Sequence, residues 1–150
     1  NFNDPFVNFK FKGDLSVEWL LLFVSNRVIL NPTGAIRADV SLNGRLNDLK
    51  KRATVSKVKT SGELHLINVG FLDSLSNIPL NELNGNLMFN NKELALNAIS
   101  GCIGSSDCNW TGILKNFAGY LFLANQPIGI EAALTSQLID MDELLSCNYS

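Results

Sequence analysis

The chain is poor in the residues that most chemistry requires. Its 150 residues include one histidine, three cysteines, two tryptophans and four prolines. A single histidine with no cysteine or aspartate at ligand spacing gives little basis for a zinc site or for imidazole catalysis. The longest apolar run, Trp19 to Val24, is six residues, whereas a membrane-spanning helix needs about 20. Twelve Lys plus Arg stand against 14 Asp plus Glu, for a net charge of -2. No basic stripe is available for a nucleic-acid backbone, and none is expected as a partner. Four Pro and 11 Gly exclude collagen-like and linker compositions. An initiator Met and a basic-then-apolar leader are also missing. The chain therefore reads as a piece of something longer, and the missing leader says little about targeting.

What is present suits a sheet. The chain is 46% apolar and 17% charged, which fits one domain spanning 1–150 that buries roughly 70% of its unfolded surface. Asparagine is the unusual residue: 19 are present, more than all Lys and Arg together. Asn favours turns and sheet surfaces over long helices.

Alternation is the dominant pattern. Val7, Phe9 and Phe11 alternate with polar residues, as do Ile36, Ala38, Val40 and Leu42. Leu64 with Leu66, Leu87 with Phe89, and Ile128, Ile130, Ala132 and Leu134 repeat the pattern, and Leu94–Leu96 and Trp110–Leu114 are weaker examples. A period of two places one face in a core and the other in water, the signature of an antiparallel sheet. Three of these strands run into a small residue, a polar residue, a Leu and a short amphipathic stretch. These helix candidates lie at 16–23, 47–49 and 140–145, with a weaker fourth at 116–122. Ser16 and Asp140 are placed to cap, and acids in the first turn suit the helix dipole. The expected fold is mainly β (α+β): a curved antiparallel sheet of about seven or eight strands, with three or four short helices packed on its apolar face. The basic stretch 48–61 reads as a long hairpin tip or solvated loop.

No catalytic signature emerges. His65 occupies an outward position of its strand and reads as a surface residue. Asp140, Asp142 and Glu143 lack the loop, Gly and closing Glu of a calcium site and are accounted for by helix-start chemistry. Gly101 to Ser106 lacks the Gly-Lys-Ser/Thr ending of a phosphate loop and precedes a strand, so it reads as a hairpin turn. A hydrolase built on Ser105 or Cys102 has no base placed beside either residue. Phe9, Phe11, Phe89 and Trp110 fall on inward faces without interleaved cations, unlike a base-stacking platform. No cofactor is implied.

Several blocks resemble the AsmA-like family. Leu83-Asn84-Gly85-Asn86-Leu87-Met88-Phe89-Asn90-Asn91-Lys92-Glu93-Leu94-Ala95-Leu96 resembles its glycine-then-apolar-hairpin stretch, and Gly101 to Leu121 resembles the block that follows. Ala133 to Leu145 is similar to the family's strand-to-helix ending, and Gly62 to Val69 fits the preceding strand. The match runs over roughly 33 to 147, and the order of the blocks is more specific than any one of them. The resemblance implies a periplasmic piece of an inner-membrane-anchored, Gram-negative envelope protein. It implies a non-enzymatic role in outer-membrane biogenesis, with phospholipid or acyl chains and envelope proteins as partners. Membrane association would run only through other parts of the longer chain. No individual functional residue carries over, because the family's role rests on a surface.

Two expectations follow. Val7, Phe9, Phe11, Ile36, Val40, Leu42, Leu64, Leu66, Leu87, Phe89, Ile128, Ile130 and Leu134 should form one continuous apolar face. Few helices are available to cover it, so part should lie open as a groove that contacts lipid. The rival is a scaffold module with a closed core whose outer edges bind partners. The second expectation concerns Cys102 and Cys108. A hairpin turn centred on Ser105 sets them across from each other at about 4.5–5.5 Å between Cβ atoms, slightly long against the roughly 3.8 Å of a disulfide. In an oxidising periplasm a bridge and free, packed thiols both stay open. Cys147 is left over.

Overall fold

The computed structural model describes residues 3–18, 29–51, 53–73, 77–117 and 126–145. Seven strands follow one another in a meander: β1 (Phe6–Ser16), β2 (Ile29–Arg45), β3 (Lys59–Asp73), β4 (Pro79–Asn90), β5 (Glu93–Ile103), β6 (Ser106–Lys115) and β7 (Gly129–Thr135). Every neighbouring pair is antiparallel, and spatial order equals chain order. The mainly β, antiparallel expectation therefore holds. The two stretches read as weak strands belong to full-length β5 and β6.

The helices are fewer than expected. Among the described residues, only α1 (Leu46–Leu49) and α2 (Met141–Leu145) are α-helices with a described span, and one 3-10 turn follows α1 at Val55–Lys57. Val17 and Glu18 are helical, but the rest of the candidate at 16–23 lies outside the described residues, as does most of that at 116–122. Four or five residues make little more than one turn, so α1 and α2 rely on tertiary anchors and not on propensity. α1 buries no residue, and in α2 both Met141 and Leu145 are exposed. Neither supplies the apolar stripe needed to roof a sheet.

The stretch 48–61 closes the β2–β3 hairpin, as a hairpin tip would, but it is not a bare loop. It forms α1 and the 3-10 turn, and residues 59–61 already belong to β3. α1 is tied to the start of the chain through its first two residues: Leu46 N–H donates to Pro5 O (3.2 Å) and Asn47 N–H to Asp4 Oδ1 (3.1 Å). Val58 is buried beside Gly44. The lysines at 50, 51 and 57 remain exposed.

Register shifts divide the sheet. Shifts in the pairing of β2 through β5 contain the non-glycine residues Asn31, Asn68, Glu82 and Ala98, each with φ near +50°. One extra residue in one strand is a β-bulge, and a left-handed backbone there is least costly for Asn or Gly. Among the described residues, four of the six non-glycine residues with positive φ are Asn: Asn31, Asn68, Asn77 and Asn116. This accounts for part of the asparagine excess. Opposite the β3 bulge, Gly34 (φ +88°) has no room for a side chain, because a Cβ would overlap Asn68 O.

The bulges rotate the pattern by one residue and build the core. Across them Val69, Leu83 and Ile99 face the same side as Leu66, Leu80 and Leu96. Val17, Ile36, Val69 and Leu83 form the buried cluster, with Leu64, Leu66, Phe71, Leu80 and Trp110 packed against it.

Candidate apolar surface

Residues directly opposite in a ladder share a face. The pairings join Phe11, Val40, Gly62, Phe89, Leu94, Leu114 and Ile130 into one row across all seven strands. A second row runs Gly13, Ala38, Leu64, Leu87, Leu96, Gly112 and Ala132, and a third includes Leu15, Ile36 and Leu66. Phe9 pairs with Leu42, Val7 with Gly44, and Leu134 with Trp110. Every strand residue assigned to the apolar face thus lies on one side of the sheet. Ile128 precedes β7 and belongs to no ladder pair. Gly62 leaves room in the first row for the Phe89 ring, whose tip would lie 3.0 Å from an added Cβ.

Exposure varies along the face. Ile36 is 4% exposed, and Ala38 and Leu94 are also buried. Val7, Phe11, Val40, Leu42, Leu64, Leu66, Leu87, Phe89 and Ile128 are half-buried. Phe9 (51%), Ile130 (66%) and Leu134 (51%) are open. The open positions sit on β1 and β7, the outer strands, where a side chain has a ladder neighbour on one side only. The sheet is therefore apolar on one face, protected in the middle and open at both margins.

The opposite face is mostly polar and charge-matched, although Met88 and Ile113 are exposed there. Lys12 pairs with Asp39 (3.0 Å), Arg37 with Asp14 (2.9 Å), and Lys115 with Glu131. Hydrogen bonding and charge pairing with these acids push the Arg37 guanidinium and the Lys115 ammonium up from their ordinary values. His65 lies on this face, half exposed, with Nε2 3.5 Å from Glu63 Oε1. An open depression of about 620 Å³ lies there, lined by residues that include Asp39, Glu63, Met88 and Ile113. Among the described residues no group of three or more His, Cys, Asp or Glu is placed to hold a metal ion.

The hairpin at Gly104 corrects the cysteine geometry. The turn has two residues, Gly104 and Ser105, so Ile103 faces Ser106, Cys102 faces Asp107 and Gly101 faces Cys108. Adjacent residues point to opposite faces, so the shift of one residue sends the two thiols to opposite sides. Both are free. Cys108 is buried with Sγ 3.8 Å from Ser106 O, and burial pushes its thiol up. Cys147 lies outside the described residues.

The same hairpin anchors the end of the described chain. The Asp107 carboxylate accepts hydrogen bonds from Gln137 N–H (3.1 Å), Leu138 N–H (2.8 Å) and Ser136 Oγ (3.1 Å). The amide bonds from Gln137 and then Leu138 hold it below the usual carboxylate range. Ser106 Oγ accepts from Asp140 N–H (2.9 Å). Glu143 Oε2 accepts from Ser105 N–H (2.8 Å) and Oγ (2.7 Å). Gly104, at φ +58°, has Glu143 packed where its Cβ would be. Asp140 caps α2 through Glu143 N–H (3.0 Å), which agrees with helix-start chemistry. Glu143 has the further task of holding the turn, which its spacing did not reveal.

Plain alternation also missed Val69, Leu83 and Ile99. Their signal was present: Leu66 and Val69, Leu80 and Leu83, and Leu96 and Ile99 are apolar pairs three apart inside strands. That spacing keeps both residues on one face only if a bulge lies between them. Among known proteins, no family model, no curated protein and no solved structure matches this chain.

Proposed function

We propose that this chain is a non-enzymatic module that contacts lipid acyl chains along the apolar face of its sheet. The observation that carries the proposal is the apolar row from Phe11 to Ile130, with Ile130, Leu134 and Phe9 open at its margins. Large apolar side chains open at the ends of a continuous apolar face are suited to an apolar ligand. In this reading the sheet curves around the chain it holds, and lipid enters at the β1 or β7 margin. The setting belongs to the same proposal and rests on the resemblance of the sequence blocks to AsmA-like proteins: the periplasm, within an inner-membrane-anchored protein that serves outer-membrane biogenesis.

Titration with a fluorescent fatty acid tests it. The native chain should bind saturably, and Ile130→Asp should weaken binding by about tenfold, or about 1.4 kcal/mol. His65→Ala, on the opposite face, should leave it unchanged. Absence of saturable binding by the folded native chain would refute the proposal.

A further inference from the structure

Strand β7 is the outer strand of the sheet at its carboxyl-terminal side, and all seven of its residues are exposed. Outer strands usually carry Lys, Pro or a bulge that discourages pairing with another chain. β1 carries Lys10 and Lys12. β7 reads Gly-Ile-Glu-Ala-Ala-Leu-Thr, with no Lys or Pro and no register shift against β6. Its one charge, Glu131, is matched within the chain by Lys115. The described residues that follow Thr135 turn away from the free edge. Asp107 and Ser106 on β6 draw residues 136–140 toward the β5–β6 turn.

We infer that β7 pairs antiparallel with β7 of a second copy of this chain, about a two-fold axis at Ala132. The strand is self-complementary in that register. Ile130 meets Leu134 of the second copy, and Leu134 meets Ile130, so these open residues become side-by-side neighbours in one continuous apolar face that stays available to an apolar ligand from above. On the polar face Glu131 meets Ala133 twice, and no like charges are opposed. Centring on Glu131 would instead place two carboxylates face to face, which is unfavourable. A two-fold contact closes at the dimer, whereas β7 on β1 would extend without limit. The pairing makes one sheet from two and joins their apolar faces. It depends on the edge and not on the lipid reading, and its test lies on the opposite face from the lipid-contacting residues.

Sedimentation velocity on the purified chain, from about 5 to 500 µM, should show a monomer–dimer equilibrium by mass action. Ala133 is exposed on the polar face, opposite Thr111 of the same chain. Ala133→Glu would set carboxylates against Glu131 of the second copy at two symmetric places and should weaken the dimer by about tenfold. Ala133→Lys would create two cross-copy ion pairs and should tighten it by about tenfold. Thermal unfolding of both variants at low concentration confirms that the monomer fold is intact. A chain that stays monomeric over the whole range would overturn the inference. So would open-ended polymers, or a dimer that responds equally to both substitutions.

Discussion

Ile36 and Ile130 are the same residue on the same face of one sheet, yet one is 4% exposed and the other 66%. Ile36 lies on β2 between Leu15 and Leu66, with Val17 in the same buried cluster. Ile130 lies on the outer strand β7 with Leu114 on one side only. The period of the sequence decides which face a side chain joins. Neighbours on both sides, and something above, decide whether that face is sealed. Inner strands thus use the alternating pattern for stability, and outer strands with the same pattern leave it exposed.

The largest expected effect comes from placing one charge in each region. Ile36→Asp buries an unpaired carboxylate and should cost at least about 3 kcal/mol, a large share of a typical domain's stability. Ile130→Asp leaves its charge in water and should cost about 1 kcal/mol or less, mostly through strand preference. Urea unfolding of the two variants measures the contrast. Similar losses would mean that the margin is as closed as the centre.

The bulges sharpen the comparison, because they turn Val69 and Leu83 into the inner region. Asn68 has φ +51° and its N–H donates to Asn84 Oδ1 (2.9 Å). Asn68→Val should cost about 1–2 kcal/mol for a branched residue in a left-handed backbone, while Asn68→Gly should stay within about 0.5 kcal/mol. Equal losses in chemical denaturation would show that the side chain matters at this site and the backbone does not.

The smallest effect concerns the anchored end of the chain. Asp107 is held below its ordinary pKa when folded, so its contribution is fully present above the unfolded value, about 3.9. It is lost as pH falls through the lower folded value. The amide proton shifts of Gln137 and Leu138 should titrate together in that acid range and become flat in Asp107→Asn. The carboxylate is exposed, so global stability at neutral pH should barely change. Independent titration of the two amides would contradict a shared carboxylate.

Much of the sheet was legible in the sequence because alternation needs only local reading. Val7 to Phe11, Ile36 to Leu42 and Ile130 to Leu134 fall on one face as their period requires. The features that escaped reading depend on single-residue offsets. A turn centred between Gly104 and Ser105, and not on Ser105, separates Cys102 from Cys108. One extra residue at Asn68, Glu82 or Ala98 returns Val69, Leu83 and Ile99 to the core face. Helical periodicity at 47–49 and 140–145 marked real but very short helices. Their brevity leaves them fixed by the ends of the sheet and not laid across it, as Glu143 on the Ser105 turn illustrates. The scarcity of helices suggested an open groove in part of this face; that the exposed members are Phe9, Ile130 and Leu134 on the outer strands needed the strand order.

The central claim is that the open margin of the apolar face holds lipid. Native mass spectrometry of the chain purified from bacterial envelope extract, beside the Ile130→Asp variant prepared identically, tests it most directly. The account predicts adducts of phospholipid or fatty-acid mass on the native chain, strongly reduced on the variant. A folded native chain that carries no lipid when purified from an extract rich in it would contradict the account.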